Sequence, residues 1–231
     1  MIRHLLQLIW NQRKQNAWLW AELLLVSVFL WFLVDYLYVM GRTYTAPLGF
    51  DIRHTYSIVI SSLSERSPDY IPKEKRERPD GVHLLTALDR IRTYPGVESA
   101  CLTDGGMPYY MGSRNLVWRI DTLQVPCRYA FVTPEFFDVF RIYDKDGKTA
   151  SLKRAIEDNN SIVISADVET MNPGLSLLGQ KAYRGNVTDE IEETIRGISV
   201  PIRRHEYTKA EPNVYRALRL SRMEEGYYEG M

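Results

Sequence analysis

The residues of this 231-residue chain whose types suit catalysis or metal binding are four histidines, two cysteines and a few acidic clusters. A zinc site needs His and Cys in close pairs, because four ligands converge on one ion. His4, His54, His83 and His205 stand far apart with no such spacing, so they read as solvated or packed side chains. A phosphate-binding loop needs Gly-x-x-x-x-Gly-Lys-Ser/Thr, so that backbone amides cradle phosphates and the lysine neutralises them. In the nearest stretch, Gly174-Leu175-Ser176-Leu177-Leu178-Gly179-Gln180-Lys181, glutamine stands where the lysine belongs, and no ATP hydrolysis is expected. There is no Gly-x-Ser-x-Gly nucleophile elbow. Asp144-Lys145-Asp146-Gly147 brings its glycine too early for an EF-hand calcium loop and reads as a turn. Asp189-Glu190-Ile191-Glu192-Glu193 reads as a solvated loop. No catalytic residue, cofactor or metal ligand is expected.

Two further groups are candidates for contact rather than catalysis. Cys101 and Cys127 are the only cysteines. Either they form one disulfide or they are two small buried thiols, since spacing in sequence does not show whether their Cα atoms come within ~7 Å. Glu22 and Asp35 interrupt the most apolar stretch of the chain, where an ionised carboxylate at mid-bilayer costs at least ~2.5–3.5 kcal/mol. Each lies five residues inside an end of that stretch, so an interfacial carboxylate and a contact with a neighbouring helix are both open. At ~100° per residue the two fall on roughly opposite helix faces and do not make one site.

That stretch, Ala17 to Met40, contains no Lys or Arg. As a helix at ~1.5 Å per residue it reaches roughly 36 Å, enough to cross a hydrocarbon core of ~30 Å. Trp18 and Trp20 at its start and Tyr36 and Tyr38 at its end suit the headgroup level. A cleaved signal peptide has a shorter apolar region and small residues before its cut site, and Tyr44 stands where one is wanted. A buried helix of a soluble protein rarely lacks a polar face over this length. Residues 1–16 carry Arg3, Arg13 and Lys14 and no acid, which predicts a cytoplasmic N-terminus and residues 41–231 outside. Setting aside those three basic residues and the two acids of the span leaves 26 basic against 27 acidic residues. That balance offers no electrostatic footprint for nucleic acid, and the exterior location permits a disulfide.

Three regions follow: a cytoplasmic amphipathic segment 1–16, a transmembrane helix 17–40, and an extracytoplasmic domain 41–231. In the first, Ile2, Leu5, Leu6 and Ile9 recur at helical spacing. His54–Ile60, rich in β-branched and aromatic residues, predicts a strand. Residues 61–81, with three prolines and a mixed charge run, predict a solvated loop. Leu84, Leu85, Leu88 and Ile91 place a helical stripe over residues 82–94, and a strand over 97–102 completes a β-α-β beginning. Residues 103–113 read as an irregular connection. Strands are expected over 116–121, 127–132, 162–165 and 194–200, and short helices over 151–157 and 166–171. Thr133-Pro134-Glu135 predicts a helix start with Thr133 as the capping hydroxyl. The fold class expected is α+β: one transmembrane helix followed by a mixed α/β domain built from β-α-β units.

The order of these pieces resembles the FtsX-like, MacB-like permeases of ABC transporters. Four short motifs carry the resemblance: Phe131-Val132-Thr133-Pro134-Glu135-Phe136-Phe137; Ser161-Ile162-Val163-Ile164-Ser165 with the helix to Met171; Leu178-Gly179-Gln180-Lys181; and Ile195-Arg196-Gly197-Ile198-Ser199-Val200. The resemblance implies a non-catalytic membrane subunit of the bacterial inner membrane. Its expected partners are an ABC-type nucleotide-binding subunit, another permease subunit or a second copy of itself, and the lipid bilayer. It also implies four spans, of which this chain has one, so a truncated product or a fragment of a longer permease is expected. Two alternatives stand beside it, a single-span sensor or ligand-binding protein and an anchored exterior enzyme.

Overall fold

A computed structural model describes residues 3, 4, 7, 10, 14, 17–60, 63–72, 75–110, 112, 114–184 and 190–221. Most of the expected amphipathic segment, Asp189 and the chain beyond Ser221 lie outside them. Contacts divide the chain into two units, Met1–Ala46 and Pro47–Met231. The first holds helix α1, Ala17–Thr45, of 29 residues. Leucine and aromatic side chains dominate it, no glycine or proline interrupts it before Gly41, and Arg42 lies in its last turn, where a cation complements the helix dipole. With a mean hydropathy of 2.2 and no buried residue, it is long and apolar enough to cross a membrane.

The second unit opens with helix α2, Asp80–Arg92. It buries Gly81 and Leu88 and leaves Leu84, Leu85 and Ile91 half-buried, the stripe its spacing predicts. A seven-stranded sheet follows: β1 Thr103–Asp104, β2 Arg114–Ile120, β3 Leu123–Val132, β4 Ser161–Ser165, β5 Lys181–Arg184, β6 Ile191–Ser199 and β7 Asn213–Ala217. Short helices α3 Phe136–Val139, α4 Ala150–Ala155 and α5 Asp167–Met171 lie between them. The strand order is β1-β3-β2-β5-β6-β4-β7, and β7 pairs again with β3, so six strands close on themselves as a small barrel. Two pairs in it are parallel, β3 with β7 and β4 with β6. β2 and β3 form a hairpin whose two-residue turn places Asp121 at φ +53°, a left-handed conformation that aspartate tolerates.

Side chains alternate across these strands and make two cores. Trp118, Ile120, Val125, Cys127, Ile162, Ile164, Ala182, Ile195 and Val214 point into the barrel, sealed by Val168 and Leu177. Ala130, Val132, Val163 and Tyr215 point outward and are covered by Phe136, Phe137 and Phe140 with Leu152, Ala155 and Ile156. Phe136 and Phe137 lie edge-to-face at 5.9 Å, and both contact the Tyr215 ring, at 5.5 and 5.6 Å. Gly197 makes room for this outer layer. A Cβ there would stand 2.8 Å from Val163 and 3.0 Å from Ala155.

The class is the expected one, an apolar helix followed by a mixed α/β domain, but several elements differ. Residues 54–60 form no strand: Tyr56 and Val59 are 85% and 86% exposed, and β-rich sequence stays coil when no edge receives it. Residues 97–102 likewise form no strand, and only Thr103–Asp104 joins the sheet, so the opening β-α-β unit is not formed. The Thr133 hydroxyl does not cap α3. It accepts from the Leu102 amide at 3.2 Å, and the helix starts after Glu135. Strands β5 and β7 lie in segments too short or too polar to signal a strand.

Candidate functional site

The chain brings together none of the site residues expected from sequence. Cys101 and Cys127 are both free thiols. Cys127 lies inside the barrel, whereas Cys101 packs against the outer core. Burial pushes each thiol up to about 12. Glu22 and Asp35 lie on α1 some 13 residues apart, roughly 20 Å along the axis. Among the described residues no three His, Cys, Asp or Glu side chains converge as metal ligands. The near-match to a phosphate loop is an internal connection: the Leu177 amide donates to Glu169 at 3.1 Å and the Gly179 amide to Ile195 at 2.8 Å. The Leu175 and Gln180 amides are likewise given within the fold, to the Asn172 and Leu177 carbonyls at 3.1 and 3.0 Å.

The acidic run at 190–193 is no solvated loop. It enters β6, and the two-residue period of the strand splits it. Glu192 stays outside with Lys181, at 2.8 Å, while Glu193 turns inward and is 2% exposed. One Glu193 oxygen accepts from Arg216 Nε at 2.7 Å and Nη2 at 2.5 Å, and from Arg184 Nε at 3.3 Å. The other accepts from Trp118 Nε1 at 3.3 Å. The Arg216 guanidinium also stands 4.9 Å over the Phe131 ring. Burial pushes Arg216 below arginine's usual range, and the Glu193 carboxylate opposes that shift. Every member of the cluster has a partner, which makes it an internal brace.

A second arginine group differs. Arg128 at the start of the β3–β7 pairing, with Arg203 and Arg204 of the preceding connection to β7, lines a narrow cleft with Met107, Asn213 and Tyr215. Arg203 is 4% exposed and structural: its Nε donates to the Thr208 carbonyl at 2.7 Å and its guanidinium also reaches the Glu206 carbonyl. Arg128 and Arg204 each keep a buried Nε without a hydrogen-bond partner. Burial and the Arg204 charge push Arg128 below arginine's usual range, and Glu211 acts against them. Loops fix the cleft: the Tyr109 amide donates to the Arg204 carbonyl at 3.2 Å and the Arg203 amide to the Leu48 carbonyl at 3.0 Å. Nothing in the sequence signals it, because Arg128 and Arg204 are 76 residues apart.

The arrangement can hold an anion but offers no nucleophile beside a base, and no activated thiol. Comparison of the whole chain with known proteins places it as follows. No protein-family model matches it, and no curated protein matches it. Solved structures similar to it include a domain of a protein assigned as a permease from Porphyromonas gingivalis, at 18% identity and a TM-score of 0.40, covering 55% of this chain and 49% of that one. The periplasmic region of MacB from Actinobacillus actinomycetemcomitans is similar at 10% identity and a TM-score of 0.39, over 58% of this chain and 54% of that one. The chain thus spans about half the length of these two structures. The extracellular domain of the noncanonic ABC-type transporter YknZ from Gram-positive bacteria is similar at 12% identity and a TM-score of 0.41, over 62% of this chain and 65% of that one.

Proposed function

We propose that this chain is a membrane-anchored, non-catalytic part of an ABC transporter permease, with its N-terminus in the cytoplasm and its barrel domain outside. The observation that carries the reading is the order of four motifs behind an apolar helix, and the job each does in the domain. The first turns β3 into α3, the second is β4 with α5, the third is the Gly179 turn into β5, and the fourth is β6 with Gly197 beneath α4. On this reading the chain leaves ATP to a partner subunit. A nucleotide-binding subunit acts on such a chain only through contacts that differ between its nucleotide states. The inner end of α1 with residues 1–16 is the natural place.

Affinity capture of the chain from its native membranes is expected to retrieve a nucleotide-binding subunit, and the purified chain to hydrolyse no ATP. Capture that preserves other transporter complexes yet brings none would overturn the reading. Protease added to intact spheroplasts is expected to digest residues 41–231, and their protection would reverse the orientation. The cleft at Arg128 and Arg204 favours one alternative, an anchored ligand-binding protein.

A further inference from the structure

We infer that the cleft between Arg128, Arg203 and Arg204 is a binding site for a single oxyanion, a carboxylate or phosphate group held by the guanidinium groups of Arg128 and Arg204. Three observations carry this. First, cationic side chains that lie partly buried are ordinarily matched by carboxylates, as Arg216 and Arg184 are by Glu193. Arg128 and Arg204 line one cleft with their Nε hydrogens buried and given to nothing. A planar guanidinium presents its donors in a fork that fits the two oxygens of a carboxylate or phosphate, so an arginine that lines a cleft with its Nε hydrogen accepted by no group has a defined chemical complement.

Second, the cleft is built rather than incidental. Arg203, whose own guanidinium is tied to the Thr208 and Glu206 carbonyls, holds the backbone on which Arg204 sits. Gly106, at φ +72°, brings its loop so close that a Cβ would stand 2.5 Å from Ala130. Phe50 closes one side through an edge-to-face contact with Tyr109 at 5.8 Å. Third, size limits the ligand. The space open to water-sized groups is about 20 Å³, and about 10–15 Å³ holds one water. The anionic group enters and the remainder of any larger ligand stays outside.

The test uses the full chain in detergent micelles at constant ionic strength. Inorganic phosphate and acetate are titrated separately, with chloride as control, and the thermal midpoint and the Arg Nε–Hε resonances are followed. The expected result is a saturable rise of the midpoint, with shifts of two arginine resonances, for phosphate, acetate or both. The arm that responds identifies the oxyanion. Arg128→Gln and Arg204→Gln are each expected to weaken the effect at least tenfold, and Arg196→Gln, on the exposed pair with Asp158, to leave it unchanged. Should either cleft variant fail to fold, phenylglyoxal labelling of the unaltered chain gives the same decision. Phosphate or acetate is expected to slow modification at Arg128 and Arg204 and not at Arg196. No response beyond chloride in both arms, or an effect that survives both substitutions, overturns the inference.

Discussion

Two groups of arginines sit in the same small barrel domain and are treated in opposite ways. Arg184 and Arg216 both donate to the buried carboxylate of Glu193, which also accepts from the Trp118 N–H inside the barrel. Arg128 and Arg204 face a cleft with buried Nε hydrogens that no group accepts. A guanidinium removed from water without a partner costs stability, so a fold retains one readily only where something outside the chain completes it. The difference separates bracing from binding within one residue type.

The largest effect that tests this contrast is expected at Glu193. Glu193→Gln leaves the partly buried Arg216 and Arg184 without a counter-charge and is expected to cost about 3–5 kcal/mol, read from urea unfolding of the full chain. A cost below about 1 kcal/mol would show that the paired cluster is not a brace. Gly49→Ala comes next. At φ +83° a Cβ would stand 2.1 Å from the Pro201 carbonyl oxygen, in the strand of backbone that leads to Arg203 and Arg204. A loss of about 3 kcal/mol is expected, together with a weaker response to phosphate.

Arg128→Gln and Arg204→Gln are expected to change stability by no more than about 0.5 kcal/mol without an anion, because the Nε hydrogen each removes is accepted by no group. A loss comparable to that at Glu193 would erase the distinction between the two groups. The two cysteines report on the two cores separately. With the thiols pushed up from 9.0 to about 12, the thiolate fraction at pH 8 falls by about a thousandfold. Mass spectrometry after iodoacetamide treatment is expected to find two free thiols, labelled only once the chain is denatured. The smallest effect belongs to Asp51. Hydrogen bonds from Arg53 hold its carboxyl at about 2, below 3.8. A lowered carboxylate value contributes stability above pH 3.8 that is lost as pH falls toward 2. Because this pair is exposed and screened, Asp51→Asn is expected to differ only slightly from the unaltered chain at pH 7, and the difference to shrink as pH falls through 3.8 and vanish below 2.

The sequence by itself determined whatever is encoded in neighbours along the chain. The apolar run from Ala17, the stripe of α2, the alternation of β2 and the buried run of β4 depend on periods of 3.6 and 2, and each appears where its pattern lies. The reading against a phosphate loop rests on one residue, Gln180, which stands where such a loop needs lysine. Tertiary structure decided the rest. Residues 54–60 have the composition of a strand and remain coil, because no sheet edge meets them. Glu193 reads as one acid in a polar run and becomes a buried brace, because its partners Trp118, Arg184 and Arg216 arrive from three other strands. Arg128 and Arg204 come to one cleft only through pairing of β3 with β7, a contact between segments some 85 residues apart. Such meetings are set by which strands close the barrel, and no local period records them.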